Sequence, residues 1–167
     1  MPAMPPYRLQ TLLEIRERKK EAAERELSRT MRELKLAQEK QKDMELELER
    51  MIAKRETRRR EYMEKAMKGE IAAMEAVNIN KYIERLKELE ALQQDAIEGQ
   101  KAVVRQREED VEEARRALVV ATQELKALEK HKEKWIEEVK KERAAKEEEQ
   151  MDELAQAIYL RGSGGKF

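Results

Sequence analysis

The sequence predicts an all-α fold, an elongated two-helix antiparallel coiled-coil hairpin, and three observations carry that expectation. First, 37 Lys and Arg with 37 Asp and Glu make up 44 % of the 167 residues. A globular domain carries about 25 %, so most of these charges must face water. Second, turn-formers are scarce: the three prolines all precede residue 7, and there are five glycines. Third, apolar residues recur at alternating spacings of three and four over two long tracts, the pattern of a coiled-coil seam.

Residues 1–6 form an N-terminal extension, and Pro5-Pro6 before Tyr7 reads as a helix start, because proline fits the first helical turn. The first helix is expected over 7–68. Leu9, Leu12, Leu13 and Ile15 give it a dense apolar beginning. From Lys20 its seam runs through Ala23, Leu27, Thr30, Leu34, Ala37, Gln41, Met44, Leu48, Met51, Arg55, Arg58 and Tyr62. Polar seam members such as Gln41, Arg55 and Arg58 weaken a coil and can fix its register.

Gly69 is the first breaker, favoured just past a helix end. A reversal is therefore expected at 69–72, with an irregular turn persisting to Asn80 as the alternative limit. The second helix is expected over 73–160, its seam resuming at Tyr82, Leu86, Leu89 and Gln93. After a phase slip near Ala96–Gly99 it continues through Val104, Arg107, Val111, Ala114, Leu118, Ala121, Leu125, Leu128, Lys132, Trp135 and Val139. Leu27, Leu34, Leu48, Leu118, Leu125 and Trp135 are the expected core. Position i faces roughly 140 − i in such a hairpin, so the second helix overhangs the first beyond about residue 133, and residues 161–167 read as a flexible tail.

The missing residue types narrow the chemistry. Without cysteine there are no disulfides, thiol nucleophiles or Cys-based zinc sites. No apolar run approaches the roughly 18 residues that cross a bilayer, and the N-terminus lacks the basic start and apolar run of a signal peptide. A cytoplasmic protein without membrane insertion follows. A net charge of zero nominates neither nucleic acid nor an anionic membrane. Residues 1–70 hold 19 basic and 15 acidic side chains, and the rest of the chain 18 and 22, a mild opposition suited to two helices side by side.

Several local patterns have plainer readings than the chemistry they suggest. Lys54-Arg55 with Arg58-Arg59-Arg60 lacks the zipper that follows a DNA-reading basic helix and is interrupted by Glu56 and Glu61, so a solvated face or an acidic protein contact fits better. Gly162-Ser163-Gly164-Gly165-Lys166 has the wrong spacing and setting for a phosphate loop. His131 has Leu128, not Glu, three residues before it, which removes the Glu-x-x-His element of di-iron bundles. Trp135 is either a seam side chain packed on the first helix or an exposed binding anchor. Met44, Met51, Met63, Met67 and Met74 are either core filling or an adaptable partner surface. No nucleophile, base and orienter can be assembled, so neither an enzyme nor a cofactor is expected. The residues alone indicate a rigid rod that binds other proteins.

Two segments resemble a known family. Tyr7-Arg8-Leu9-Gln10-Thr11-Leu12-Leu13-Glu14-Ile15-Arg16, continuing through Lys19, Lys20, Glu21, Ala22, Glu24 and Leu27, resembles the opening of FliJ-like flagellar export proteins. His131-Lys132-Glu133-Lys134-Trp135 and Glu147-Glu148-Glu149-Gln150-Met151-Asp152-Glu153-Leu154 are similar to the C-terminal region of YscO-like proteins, the corresponding stalks of virulence type III secretion. The resemblance implies a hairpin similar to the gamma-subunit stalk of rotary ATPases. It implies a non-catalytic protein whose terminal end enters a hexameric secretion ATPase and whose other end faces the export gate, with export chaperones bound by some members.

On this chain the ATPase-facing tip would comprise Arg8, Arg16 and Arg18 with Glu147, Glu148, Glu149, Met151, Leu154, Ile158 and Tyr159. An overhanging helix cannot bury its own apolar stripe, although self-association or folding back onto Leu9–Leu13 would also cover it. Tyr82, Leu86, Leu89 and Gln93 would face the gate, unless that stripe is simply seam. The hairpin is expected to be a monomer. The competing reading is a structural scaffold, a parallel coiled-coil homodimer whose helix runs unbroken through Gly69.

Overall fold

A computed structural model describes residues 3–164. Among them are two helices and no strand: α1 (Gln10–Met67), of 58 residues, and α2 (Ala73–Gly164), of 92. A short turn leads into α1, with the Gln10 N–H donating to the Tyr7 carbonyl at 3.1 Å.

The end of α1 shows why the chain reverses. Gly69 has φ +69°, a left-handed conformation that costs any residue with a Cβ. The Gly69 N–H donates to the Ala66 carbonyl and the Glu70 N–H to the Lys65 carbonyl, each at 3.1 Å. This crossed pair is a Schellman closure, which satisfies the last carbonyls and turns the chain away from the helix axis. The parallel-dimer alternative needs a continuous helix here, and the closure removes it. The start of α2 is half a capping box: Glu75 accepts from the Ala72 N–H at 3.4 Å, while Ala72 has no side chain to return the bond.

The chain forms two compact units, one from Glu24 to Arg116 and the other from the segment up to Ala23 with that from Ala117 onward. Each is an antiparallel helix pair. In the Glu24–Arg116 unit, Arg55 meets Glu90 at 2.7 Å, Gln93 donates to the Met44 carbonyl at 3.0 Å, and Gln100 to the Ala37 carbonyl at 2.9 Å. Farther from the turn Arg107 approaches Glu33 at 3.6 Å. Descending numbers on α1 meet ascending numbers on α2. In the other unit Leu13 packs with Leu125 and Leu128, flanked by Leu9, and Lys132 donates to Gln10 at 2.8 Å.

The seam follows the expected spacing on α1, except that Arg58 is exposed and pairs with Glu61 on its own helix. On α2 the structure corrects the expectation. There is no phase slip near 96–99, because the seam runs through Leu86, Glu90, Gln93, Ile97, Gln100 and Val104 at unbroken spacings of three and four. Ile97, only 2 % exposed, is the most completely enclosed large side chain, whereas Leu89 is 41 % exposed. Hydropathy alone places Leu89 in the seam. Glu90 occupies that place because Arg55 supplies a counter-charge across the pair, and the hydrogen-bonded Glu90 carboxylate in turn raises the Arg55 pKa above its ordinary value.

Two other expectations are revised. Residues 78–80 are regular helix, and α2 continues through Gly164, so 161–164 are helical rather than part of a flexible tail. Residues 165–167 of that tail lie outside the described residues. Extending an existing helix avoids the nucleation cost, so even Gly162 and Gly164 are carried along.

The burial pattern sets testable stabilities, read by urea denaturation. Ile97→Ala should cost about 2–4 kcal/mol, whereas Leu89→Ala should stay within about 0.5 kcal/mol. Gly69→Ala meets no atom within 4 Å, so its expected loss of about 1 kcal/mol would come from the left-handed backbone alone. Equal losses at Ile97 and Leu89 would contradict this seam.

Candidate functional site

With no catalytic constellation in the sequence, the candidate sites are surfaces. The first lies in the unit that contains both ends of the chain. Its helix pair closes at an aromatic cluster. Tyr7, 7 % exposed, places its ring 5.0 Å from Trp135, and its hydroxyl lies 2.5 Å from His131 Nδ1. The Lys132 ammonium stands 5.8 Å from the Tyr7 ring centroid, within cation–π range. Trp135 is thus a half-buried packing residue, and its ring partner is the turn residue preceding α1. His131 and Trp135 sit one turn apart on α2, so both reach the same tyrosine.

Beyond this cluster α2 runs on as a single helix. Every residue from Ala144 to Gly164 is exposed. Met151, Leu154 and Ile158, at i, i+3 and i+7, are 66, 54 and 63 % exposed, and Tyr159 and Leu160 stand beside them. Among the exposed acidic residues of this run, Glu147 falls in line with that stripe, Glu148 and Asp152 flank it, and Glu149 and Glu153 lie on the far side. Arg8 and Arg18 are exposed. Arg16 is engaged within the unit, donating to the Glu124 carbonyl at 2.9 Å, while the neighbouring Lys19 pairs with the Glu124 carboxylate at 3.1 Å.

The second surface is the turn end of the Glu24–Arg116 unit. The four residues expected to face a gate share one face of α2, and they differ in exposure. Tyr82 and Leu86 are half-buried in the seam, and Gln93 is held by the Met44 carbonyl. Leu89, at the margin of the seam, is 41 % exposed and lines a shallow depression with Val77, Lys81, Arg85 and Leu92. The methionines divide likewise: Met44 and Met51 are half-buried, whereas Met63, Met67 and Met74 are 57, 90 and 77 % exposed around the turn. Between the helices, Tyr62, Met63 and Ala66 of α1 and Ile79 and Ile83 of α2 floor a groove with Arg59 and Lys87 on its edges. Of the expected core, Leu125 is 7 % exposed, and Leu27, Leu34, Leu48, Leu118 and Trp135 are half-buried.

Sequence reasoning missed Tyr7, Glu90 and Gln100 as buried polar anchors. The signals were a tyrosine locked behind two prolines and polar residues standing in seam phase. Among the described residues no group of acidic or His side chains could hold a metal ion, and no helix is long and apolar enough to cross a membrane.

Comparison with known proteins bears on the same features. The family described as YscO-like protein matches residues 4–163. A solved structure described as a YscO homologue from Chlamydia trachomatis is similar with a TM-score of 0.80 and 25 % identity, over 94 % of this chain and 96 % of that one. No curated protein matches the sequence.

Trp135 is the sole tryptophan, and its emission should report the Tyr7 cluster directly. Tyr7→Ala should shift that emission to longer wavelength and lower the melting temperature. Met151→Ala should change neither, because that side chain is largely exposed and lies beyond the cluster. An unaltered spectrum in Tyr7→Ala would mean that the ring contact does not persist in solution.

Proposed function

The chain belongs to the YscO-like family of type III secretion proteins, and from that premise we propose that it is the non-catalytic central stalk of a type III export apparatus. In this reading the terminal run of α2 enters the pore of the hexameric secretion ATPase and stimulates it. The turn end of the hairpin meets the export gate, and export chaperones bind along the rod. The protein works in the cytoplasm as a monomer, peripheral to the inner-membrane apparatus of a virulence system.

The observation that carries this reading is the unpartnered run from Ala144 to Gly164. Its apolar stripe has no neighbour within its unit, so another protein is the natural source of burial. Its acidic side chains, with Arg8 and Arg18, supply long-range charge that accelerates encounter and falls off with salt. The helix is already formed, so docking it costs little conformational entropy.

Truncation after Gln150 removes the stripe but leaves the Tyr7 cluster and both seams. The truncated protein should keep its helicity per residue and melting temperature, yet lose stimulation of the cognate ATPase. Full stimulation by the truncated protein would refute the assignment.

The gate contact is proposed at the exposed margin of the α2 seam, with Leu89 as the member of the expected stripe that is available in the isolated chain. Leu89→Asp with Leu92→Asp should abolish gate binding in pulldown without loss of helicity. Tyr82→Ala with Leu86→Ala should instead lower stability, because those side chains belong to the seam. Gate binding that survives the Leu89/Leu92 variant would move the contact elsewhere.

A further inference from the structure

The two uncovered surfaces are chemically opposite. From Ala144 to Leu160 the chain carries one basic and five acidic side chains together with the Met151, Leu154 and Ile158 stripe. From Lys54 to Glu90, where Glu90 pairs with Arg55, it carries ten basic and eight acidic side chains around the groove floored by Met63, Ala66, Ile79 and Ile83. We propose that the terminal run of α2 of one copy docks in the turn-end groove of a second copy, so that this protein self-associates head to tail at high concentration. The inference rests on exposure and charge and does not need the proposed ATPase contact.

The dimensions match. Met151 to Ile158 spans about 10 Å at 1.5 Å per residue, and the α1 wall of the groove, from Arg59 to Ala66, is the same number of residues long. A helix presenting i, i+3 and i+7 anchors to a cleft between two helices is a recurrent recognition mode, and it turns a two-helix pair locally into a three-helix bundle. Glu147, Glu148 and Asp152 would lie near edges that carry Arg59 and Lys87; Glu84, the one acidic group lining the groove, pairs with Lys87 at 3.4 Å.

Charge also selects against the symmetric alternatives. Two terminal runs pairing with each other would bring together two helices with five carboxylates each, and two turn ends would bring like-signed surplus charge together, arrangements that like-charge repulsion disfavours. The remaining pairing is heterologous, and such contacts propagate unless a rotation closes the ring. At low concentration the protein is a monomer. As concentration rises its average mass should pass the dimer value without stopping there, and added salt should reverse the association.

The test is sedimentation equilibrium of the full chain at low and high salt, with two double variants. Leu154→Asp/Ile158→Asp removes the docking helix, and Arg59→Glu/Met63→Asp removes the groove. All four positions are exposed or line the groove, and circular dichroism verifies that both variants remain folded. Each variant alone should be monomeric at 19.8 kDa. An equimolar mixture should form dimers only, because one partner keeps its groove and the other its helix. A wild type that stays monomeric at every concentration would overturn the proposal. So would a wild type that stops at the dimer and is insensitive to Arg59→Glu/Met63→Asp, since that pattern belongs to terminal runs pairing with each other. The groove variant keeps its terminal run intact, so its stimulation of the ATPase reads the stalk assignment independently.

Discussion

In each unit a helix has one neighbour, and a helix with one neighbour has one dry face. That constraint governs the rest of the molecule. About two side chains per seven residues can be enclosed between a pair of helices, and every other position must be compatible with water. The charge fraction of 44 % follows directly. So do the ion pairs at i, i+3 and i+4 along the outer faces, such as Arg29 with Glu26 and Glu33, where the hydrogen-bonded Arg29 guanidinium holds the Glu26 carboxyl below its usual range. Such pairs are screened and individually weak. Their service is to keep long exposed helices soluble and helical, while the seam supplies the cohesion.

A seam this thin has a register problem, because a slide by one heptad exchanges one set of aliphatic contacts for a nearly equivalent set. Polar seam residues resolve it. Gln93 and Gln100 on α2 each donate to one particular carbonyl of α1, at Met44 and Ala37. Those carbonyls already serve the helix ladder, and a second lone pair remains for the amide. Ala37 makes room for this by being small. Glu90 meets Arg55 in a pair that a slid register would leave as two separated, partly desolvated charges. Among the described residues no enclosed side-chain polar atom lacks a hydrogen bond, so the polar seam specifies one alignment without leaving a penalty in it.

The hairpin itself was legible because its signals are local. Seam spacing is a property of neighbouring residues, and Gly69 carries the one backbone conformation that an L side chain resists. What escaped depends on partners remote in sequence. Nothing near residue 90 shows that Glu90, not Leu89, belongs inside; Arg55 decides it, 35 positions away. Nothing near Tyr7 points to His131, 124 positions away. The apolar contact residues were identifiable as apolar, but not as exposed. Met51 stands in seam phase and is half-buried, whereas Met63, one position past the seam residue Tyr62, is exposed.

Unequal helix lengths then become functional. An isolated helix of twenty residues is marginal in water, because its first turn must be nucleated against chain entropy. The run after Ala144 escapes that cost, since it extends a helix already held by the seam and by Tyr7 against Trp135. It is rich in Ala and Glu, which favour propagation. The result is a preformed ligand, an amphipathic helix whose apolar stripe cannot be covered by its own unit. Binding it therefore spends little of the interaction energy on ordering. A flexible tail with the same residues would have to fold at the moment of contact and would bind more weakly for the same buried area. The anchored overhang is thus the feature on which the proposed binding role rests.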